Sequence, residues 1–317
     1  MSVQPSEDRA PLRIGSRGSK LALWQAEWVK ARLETLGTAC EIQIIKTTGD
    51  KILDVPLAQI GGKGLFTKEI EEALLDGRID LAVHSLKDLP TEVPEGLTIA
   101  CIPDREDPRD AMVGSTLAAL PAGARVGTSS LRRAAQLRSL RPDVEILDVR
   151  GNVDTRLRKQ QEGQYDALVM ASAGLTRLGL ASHIAEYLDP TVFLPAVAQG
   201  ALAVETRADE GRAWQLCQSL SDQRALAEIT AERALLAGLG GGCQVPLGAF
   251  ATVNGDQLLL RAVVVSGDGR TAIRKELAGL ATDARSVGEQ LAASFMNSEA
   301  AAIIREIEAH SAGANGG

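Results

Sequence analysis

The first hundred residues alternate between short apolar runs and segments in which apolar residues recur at helical spacing. An apolar run at 12–15 is followed by Leu21, Trp24 and Trp28, which would share one face of a helix that Ser19 could cap. Similar patterns predict strands at 42–45, 79–83 and 97–102 and a helix at 67–76. Strands that alternate with helices in this way indicate a mainly parallel α/β sheet.

The opening pattern returns after residue 124. The stretch RVGTSSLRR at 125–133 has the same order as RIGSRGSK at 13–20: a strand, a glycine, hydroxyl residues, a basic residue and a helix. The elements predicted after it are strands at 144–149 and 165–171, a helix at 153–161 and a helix from about Ser172. We therefore expect two related α/β domains, with ligands at the carboxyl ends of strands and at helix N-termini.

The last third of the chain has a different pattern. It predicts helices at 210–220, 224–239, 284–296 and about 299–310, and strands at 249–253, 258–265 and 273–277. This pattern indicates a small α+β domain. The predicted boundaries are 11–104 with 196–220 for domain 1, 105–195 for domain 2, 221–312 for domain 3, and flexible termini at 1–10 and 313–317.

Composition indicates a soluble globular protein in the cytoplasm. The 317 residues are 45% hydrophobic and 24% charged, which suits two to three ordinary domains. The N-terminal residues are polar and lack the apolar core of a signal peptide, and no apolar run is long enough to span a bilayer. The 4 cysteines form no CxxC pair, so we expect reduced thiols, no metal site and a cytoplasmic protein.

Charge and aromatic content limit the kind of ligand. The formal net charge is -7, yet arginines are concentrated between residues 125 and 177. With only 4 Phe, 3 Trp and 2 Tyr, the chain offers few stacking platforms and no broad basic face for nucleic acid. A small ligand with several carboxylates or phosphates fits better, because guanidinium groups bind such anions bidentately.

A glycine-rich loop near residue 243 carries the first candidate for chemistry. Three glycines at 240–242 precede Cys243, and Pro246 limits the path that follows. Consecutive glycines cost backbone entropy on folding, so they indicate a tight turn or a close approach to another group. Cys243 would then be an exposed attachment point; the alternative is a small buried cysteine between a helix and a strand.

The second candidate is Asp88, in the stretch HSLKDLP at 84–90 after a predicted strand. A carboxylate at the carboxyl end of a strand could stabilise a developing cation or transfer a proton. The alternative is an aspartate that caps the turn before Pro90.

Arginines at junctions between loops and helices are the third candidate. Arg132 and Arg133 open a predicted helix, where cations oppose the helix dipole unless an anion is present. The other arginines at such junctions are Arg150, Arg156 and Arg177. We interpret all five as ligand-binding residues, although arginines exposed to solvent are the alternative. That alternative is our interpretation of Arg138, Arg141 and Arg158.

Two further motifs give weaker signals. The stretch GGKGLF at 61–66 lacks the GxxxxGK[ST] spacing of a phosphate-binding loop, so a mobile lid with Lys63 and Phe66 is the better interpretation. Cys243 with His84 would suit a cysteine hydrolase, but no third partner is identifiable from spacing.

Taken together, these stretches resemble the hydroxymethylbilane synthase family, also called porphobilinogen deaminase. The matching strings are RIGSRGSKLALWQ (13–25), GDKILD (49–54), GGKGLFTKE (61–69), DLAVHSLKDLP (80–90), REDPRDA (105–111), VGTSSLRR (126–133), RGNVDTRL (150–157), AGLTRLG (173–179), LPAVAQGALAVE (194–205) and GGCQVP (241–246). They follow the family's order and spacing. Beyond Leu247 the chain is similar to the family only in general character.

The resemblance implies a fold, a cofactor and a reaction. The implied fold has two periplasmic-binding-protein-like (type II) α/β domains and a small C-terminal α+β domain. One dipyrromethane cofactor per chain would be bound through a thioether to Cys243. The implied reaction joins four porphobilinogen molecules head to tail with loss of ammonia, and water then releases hydroxymethylbilane. The family also suggests a monomer, and we expect no metal, nucleic acid or membrane as a partner.

The resemblance also assigns roles to residues. The implied catalytic residue is Asp88, whose carboxylate would stabilise the cation formed as ammonia leaves. The implied cofactor-binding residues are Asp88, Ser85, Lys87, Thr128, Ser129, Arg132, Arg133 and Cys243. The implied substrate-binding residues are Arg17, Ser19, Lys63, Phe66, Arg150, Arg156, Arg177 and Gln199. Because porphobilinogen has acetate and propionate arms, each ring that joins the chain adds carboxylates for these arginines.

A function of another class remains open: a non-catalytic, periplasmic-type module that binds an anion between two domains. The lack of a signal peptide and the glycine-flanked cysteine argue against it.

Overall fold

A computed structural model of the chain describes residues 10–51, 66–241 and 245–306. The chain divides into two compact units. The first unit falls within Met1–Leu53, Gly62–Arg105 and Ala201–Leu226, and the second within Asp54–Gly61, Glu106–Gly200 and Ala227–Gly317.

The elements are numbered in chain order. The strands are β1 (Leu12–Ser16), β2 (Cys40–Ile44), β3 (Leu81–Ser85), β4 (Leu97–Cys101), β5 (Asp110–Val113), β6 (Arg125–Gly127), β7 (Glu145–Leu147), β8 (Ala167–Ala171), β9 (Ile184–Tyr187), β10 (Leu202–Arg207), β11 (Leu247–Asn254), β12 (Gln257–Val265) and β13 (Ala272–Leu280). The α-helices are α1 (Lys20–Thr35), α2 (Thr48–Lys51), α3 (Lys68–Leu75), α4 (Leu131–Leu140), α5 (Val153–Gln161), α6 (Ser172–Arg177), α7 (Arg212–Gln218), α8 (Gln223–Gly238) and α9 (Ala284–Met296). Short 3-10 helices cover Leu86–Asp88, Ala181–His183 and Ala281–Asp283, and residues 300–306 are helical.

The first unit contains a five-stranded sheet in the order β2-β1-β3-β10-β4. β1 pairs in parallel with β2 and β3, whereas β10 is antiparallel to β3 and β4. The predicted cap of α1 is confirmed, since the Ser19 hydroxyl accepts a hydrogen bond from the Ala22 amide. Val29 and Leu33 of α1 are fully buried in one core with Ile14 of β1, so the helix covers one face of this sheet.

The second unit contains a sheet of the same design, in the order β7-β6-β8-β5-β9. β6 pairs in parallel with β7 and β8, and β5 is antiparallel to β8 and β9. Each sheet therefore has a parallel core of three strands and a reversed strand in the fourth place. The internal repeat predicted from the sequence is confirmed, but β5, β9 and β10 were not predicted as strands.

The two sheets share one ionic contact at equivalent positions. In the first sheet, the Arg13 amide and guanidinium donate to Asp80 at 2.9 and 2.7 Å, and the Asp80 amide donates back to the Arg13 carbonyl. In the second sheet, the Arg125 amide and guanidinium donate to Asp166 at 2.7 and 3.0 Å, with the same return bond. We call each of these contacts a strand clamp, because it joins the start of the middle one of the three parallel strands (β1 or β6) to the residue before the third one (β3 or β8).

The second unit also contains the three-stranded antiparallel sheet β11-β12-β13. Helices α8 and α9 approach each other closely: a Cβ atom at Gly288 would lie 2.3 Å from the Ala231 carbonyl oxygen, so only glycine fits there. The predicted fold class, with two α/β sheets and a small C-terminal α+β region, is confirmed. Among the described residues, no helix has the length and apolar character needed to cross a membrane.

Candidate functional site

Polar residues of the first unit meet where β3 ends. β3 extends to Ser85, two residues beyond the predicted strand, and the 3-10 turn Leu86–Asp88 follows directly. Leu86 and Leu89 are 0% and 6% exposed, and the Leu86 amide donates to the Ala201 carbonyl. The turn is thus anchored on both sides of Asp88, whose own side chain is exposed. This is the edge of a mainly parallel sheet at which ligands bind.

A pocket of about 480 Å³, open mouth included, lies at this edge. The predicted site residues that line it are Arg17, Ser19, Phe66, Ser85 and Asp88. Lys87 is half-buried beside Asp88 in the chain. The structure therefore brings together, in one pocket of the first unit, residues that are far apart in the sequence.

Two side-chain contacts order this pocket. The Arg17 guanidinium lies 4.1 Å from the centroid of the Phe66 ring, a distance at which the ring face attracts the cation. The buried amide of Gln25 donates to the Ser85 hydroxyl at 2.8 Å. Gln25 also lines the pocket, although no sequence pattern singled it out.

His84 also lines the pocket, and its side chain has a partner in the protein. Its Nε2 is 3.1 Å from a carboxylate oxygen of Glu205 on β10, and the two side chains are 6% and 1% exposed. Glu71 of α3 is near this pair, and its pKa is raised, chiefly because it is partly buried. The histidine considered for hydrolase chemistry is therefore engaged by a carboxylate of the neighbouring strand.

The arginines of the second unit surround a buried carboxylate. Arg132 and Arg133, in the first turn of α4, are 6% and 7% exposed, and Asp110 of β5 is 0% exposed. Arg132 Nη1 donates to Asp110 Oδ2 at 2.6 Å, and Arg133 Nη2 lies 2.7 Å from Oδ1. The anion that two cations at a helix start require is thus supplied, in part, by the protein itself.

Charge around Asp110 does not balance. Burial raises the pKa of Asp110, but the charges of Arg132 and Arg133 outweigh it and hold that pKa well below its usual value. The carboxylate is therefore ionised and neutralises one of the two guanidinium groups. One positive charge remains, which makes this edge of the sheet suitable for an anionic ligand.

Gln199 and Arg177 lie in the same region of the second unit. Gln199 is 1% exposed, and its amide donates to the Pro108 carbonyl and to Asp110 at 2.8 and 2.9 Å. Arg177 Nη2 donates to the Gly200 carbonyl at 2.7 Å. Gly200 has a φ of +86°, and a Cβ atom there would lie 2.3 Å from the Glu106 carbonyl oxygen, so no other residue fits.

The remaining predicted residues of the second unit follow β6 and β7. Thr128 is buried, and the exposed Ser129 donates its hydroxyl hydrogen to the Val149 carbonyl at 2.5 Å. Arg150 Nε is 3.5 Å from Asp148. Arg156 Nε donates to the Gly151 carbonyl at 2.8 Å, one turn into α5.

The interpretation of Arg141 as a solvent-exposed surface residue was wrong. Its guanidinium donates to the carbonyls of Leu117 and Leu120 and pairs with Asp143 at 2.7 Å. Arg138 is exposed as interpreted, although it also donates to the Gly267 carbonyl at 2.8 Å. Carbonyl acceptors of this kind cannot be recognised from the side-chain pattern.

Cys243 and Lys63 lie outside the described residues. The other cysteines, Cys40, Cys101 and Cys217, are 9%, 2% and 0% exposed. Burial raises the pKa of Cys40 to about 11, and a hydrogen bond with Cys217, together with burial, raises the pKa of Cys101. All three thiols are therefore enclosed, and none of them lines the pocket. Within the described residues, no group of acidic, histidine or cysteine side chains could hold a metal ion.

Two protein-family models and several curated proteins match this chain. The family model "Porphobilinogen deaminase, dipyromethane cofactor binding domain" matches residues 12–215, and "Porphobilinogen deaminase, C-terminal domain" matches residues 226–297. The porphobilinogen deaminase of Syntrophotalea carbinolica is 54% identical over 302 residues, covering 94% of this chain and 96% of the relative. The porphobilinogen deaminase of a Roseiflexus species is 55% identical over 298 residues, covering 92% of this chain and 98% of the relative.

Solved structures with a similar arrangement include periplasmic binding proteins. One is the periplasmic substrate-binding protein of an ABC transporter from Coxiella burnetii, at 14% identity and a TM-score of 0.40 over 66% of this chain and 91% of that one. Another is a TRAP periplasmic solute binding protein from Desulfovibrio salexigens, at 12% identity and a TM-score of 0.41 over 68% of this chain and 74% of that one. At such TM-scores the likeness carries no functional argument.

Proposed function

Because the chain belongs to the porphobilinogen deaminase family, we propose roles for its residues in the family's reaction. The enzyme is a transferase that joins four porphobilinogen molecules head to tail, with loss of ammonia, and releases hydroxymethylbilane by hydrolysis. This product leads to tetrapyrroles and heme. The observation that carries the function is the match of the cofactor-binding family model to residues 12–215, which contain the pocket with Arg17 and Asp88.

We propose that arginines recognise the acidic arms of the substrate. Porphobilinogen carries an acetate and a propionate, and a guanidinium group can bind each carboxylate with two parallel hydrogen bonds. In the first unit, Arg17 is held over the Phe66 ring at the pocket, where a carboxylate would meet its charge. The other residues proposed to contact substrate are Ser19, Lys63, Phe66, Arg150, Arg156, Arg177 and Gln199.

Asp88 is the proposed catalytic residue. Loss of ammonia from porphobilinogen leaves a cationic, azafulvene-like carbon, and a fixed carboxylate beside it lowers the barrier electrostatically. The turn that carries Asp88 is anchored by buried Leu86 and Leu89, so the carboxylate is in place before the charge develops. Ser85, held by Gln25, and Lys87 are proposed to help position ligands at the same edge.

The family's cofactor is a dipyrromethane, and the residues of this chain fit it. Its rings carry carboxylates, and the pair Arg132 and Arg133 has one positive charge beyond that of Asp110 to receive them. Thr128 and Ser129 supply hydroxyl groups at the start of the same helix region. When bound, the dipyrromethane supplies the pyrrole carbon to which the first substrate unit is joined.

Cys243 is the proposed attachment point of the cofactor. A thiolate is a strong nucleophile for a cationic pyrrole carbon, and the thioether formed is stable through many turnovers. Because the three described cysteines are buried away from the pocket, they are poor competitors for this role.

We also propose properties that extend beyond the reaction itself. The enzyme would act as a cytoplasmic monomer on a small molecule, without nucleic acid or a membrane as a partner. The net charge of -7 supports this proposal as far as nucleic acid is concerned. The three-domain division, with domain 3 at 221–312, is likewise a proposal. A non-catalytic anion-binding module is not favoured, since the curated relatives are enzymes along nearly their whole length.

Intact-protein mass spectrometry tests the proposed function. The protein purified from cells that supply porphobilinogen should have a mass above its sequence mass by two pyrrole units. Cys243→Ser should remove this excess and abolish activity, whereas Cys40→Ser, at a buried thiol outside the pocket, should keep both. Active wild-type protein with an unmodified mass would show that the cofactor assignment is wrong.

A further inference from the structure

Asp110 is the acceptor on which the polar groups of the second unit converge. It begins β5 and is in register with Ala171, the last residue of β8, so it lies at the carboxyl edge of the parallel strands. It is 0% exposed and receives hydrogen bonds from Arg132, Arg133 and Gln199. We propose that Asp110, together with Gln199, is a positioning residue that holds the two guanidinium groups in the orientation needed to bind carboxylate ligands.

The hydrogen bonds of Arg133 leave it no freedom to move. Its Nε donates to Asp110 Oδ1 at 2.9 Å, and its Nη1 donates to the Val169 carbonyl at 3.2 Å. Its Nη2 lies 2.7 Å from Asp110 Oδ1 and donates to Gln199 Oε1 at 3.3 Å. All three nitrogens are thus engaged by the protein, so Arg133 acts on a ligand mainly through its charge.

The Arg132 guanidinium is held by the protein through one of its three nitrogens, Nη1, in the hydrogen bonds that the structure describes. Its Nη1 donates to Asp110 Oδ2 and to the Leu194 carbonyl, both at 2.6 Å. Across the part of the chain that the structure describes, no hydrogen bond engages Nε or Nη2 of Arg132. These two nitrogens form the edge of the guanidinium that matches a carboxylate bidentately, and Asp110 fixes the direction in which that edge points.

Gln199 also acts through the same carboxylate. Its amide hydrogens go to the Pro108 carbonyl and to Asp110, and its oxygen accepts from Arg133. The preceding residue, Ala198, has a φ of 61°, which a non-glycine residue adopts only when its surroundings impose it. The buried carboxylate of Glu232 on α8 imposes it here by accepting the Ala198 amide at 2.7 Å. The backbone that presents Gln199 is therefore fixed independently of any ligand.

Loss of the Asp110 charge would leave two buried guanidinium groups facing each other without a shared anion. They would repel, and the free edge of Arg132 would lose its orientation. A ligand would then have to supply the ordering that the protein now provides. This predicts weaker ligand binding beyond any loss of stability.

Asp110→Asn in the full-length protein tests the inference. We expect a smaller fraction of folded protein with the two-pyrrole mass, and a KM for porphobilinogen raised about tenfold in the loaded fraction. The change in KM should exceed the change in kcat, and Asp110→Glu should restore part of it. All measurements are made at a temperature at which circular dichroism shows each variant to be folded.

Asp166→Asn is the matched control. It breaks an arginine–aspartate pair at the opposite end of β8, so it should leave cofactor loading and KM unchanged. If Asp110→Asn does not fold at any temperature, Gln199→Leu decides, because it keeps the ion pair and removes one hydrogen-bond partner from each of Asp110 and Arg133. For that variant we expect a lower melting temperature, because the Pro108 carbonyl also loses its donor, and a raised KM at temperatures at which circular dichroism shows it to be folded.

The inference rests on the proposed function, and the two can fail separately. Wild-type protein without the cofactor mass would contradict the proposed function. The positioning role alone would be overturned if folded Asp110→Asn protein had the same cofactor loading and the same KM as wild type. If Asp110→Asn does not fold, an unchanged KM in Gln199→Leu would overturn it.

Discussion

The Asp88 side chain combines an exposed carboxylate with a fixed backbone. Leu86 and Leu89 on either side of it are 0% and 6% exposed, so the turn cannot shift without unpacking the core. An electrostatic catalyst needs this combination, since its charge must be aimed before the transition state forms. The alternative role, a cap for the following turn, would require no pocket, yet Asp88 lines one together with Arg17.

Asp88→Asn removes the charge of this side chain and keeps its size, so it tests whether catalysis depends on the charge. We expect kcat to fall by about 10²-fold or more, because the amide cannot stabilise a cation. The melting temperature should change little, since the side chain is exposed, and the cofactor mass should remain. Steady-state kinetics, thermal unfolding and intact mass measure these three quantities.

The control for this change is Asp76→Asn, an exposed aspartate at the far end of α3 that pairs with Arg78 at 3.4 Å. It should leave kcat at the wild-type value. A kcat near wild type in Asp88→Asn would assign the catalytic role to another group.

Residue-level prediction succeeded where the chemistry is local and failed where it depends on pairing. The two adjacent arginines at a helix start indicated an anionic ligand, and the structure places a carboxylate of the protein itself between them. The sequence could not identify it as Asp110, because the aspartate is 22 residues from Arg132 and reaches it only through the pairing of β5 with β8. Gln25 and Glu205 were missed for the same reason.

The two strand clamps occupy equivalent positions in the two sheets, so the exposure of their side chains can be compared directly. The Arg13–Asp80 pair is more enclosed, with side chains 35% and 16% exposed, than the Arg125–Asp166 pair, with side chains 41% and 42% exposed. Arg207 adds a second cation 3.6 Å from Asp80. The first clamp should therefore contribute more to stability than the second.

Asp80→Asn tests this difference. Burial raises the pKa of Asp80, but the hydrogen bonds from Arg13 outweigh it and hold the pKa below its usual value. At pH 7 we expect a loss of about 1–2 kcal/mol in the free energy of unfolding, after allowance for solvent screening. Asp166→Asn, the matched variant in the second sheet, should cost less. Urea unfolding at pH 7 measures both.

The pH dependence of this loss has a definite sign. A carboxylate whose pKa is lower in the folded state stabilises the protein above its unfolded pKa of about 3.9, and this contribution is lost as pH falls through the folded value. The gap between wild type and Asp80→Asn should therefore persist from pH 7 to about pH 5 and shrink below about pH 4. A gap that stays constant down to pH 3 would show that the lost charge is not its cause.

Helices and the repeat were predictable because their signals are local, whereas the reversed strands were not. Ser19 caps α1 as its position suggested, and the glycine of each repeat lies within β1 or ends β6. The apolar run of β10 indicates burial but not its place between β3 and β4, more than a hundred residues earlier in the chain. The spacing of apolar residues predicts whether a strand is buried. The strands that pair with it are decided by tertiary packing, which this spacing does not reveal.

Across the whole molecule, the thiols fall into two classes. The three described cysteines are buried in the protein, and Cys40 and Cys101 lie in one core of the first unit with Cys217. The environment of Cys40 and Cys101 raises the pKa of both thiols, and the thiolate is the reactive form. Cys243 lies in a glycine-rich stretch that the sequence alone singles out, and it is the proposed site of the thioether.

A thiol count therefore tests the attachment chemistry without any measurement of activity. The 4 cysteines should give almost no reaction with an aromatic disulfide reagent in the native, cofactor-loaded protein, because three are buried and the fourth is a thioether. After denaturation the count should rise to three, since unfolding exposes the buried thiols but does not cleave a carbon–sulfur bond. Cys217→Ala should lower that count to two, and Cys243→Ser should leave it at three while losing the cofactor mass. Four reactive thiols in denatured, cofactor-loaded protein would place the cofactor on a residue other than cysteine.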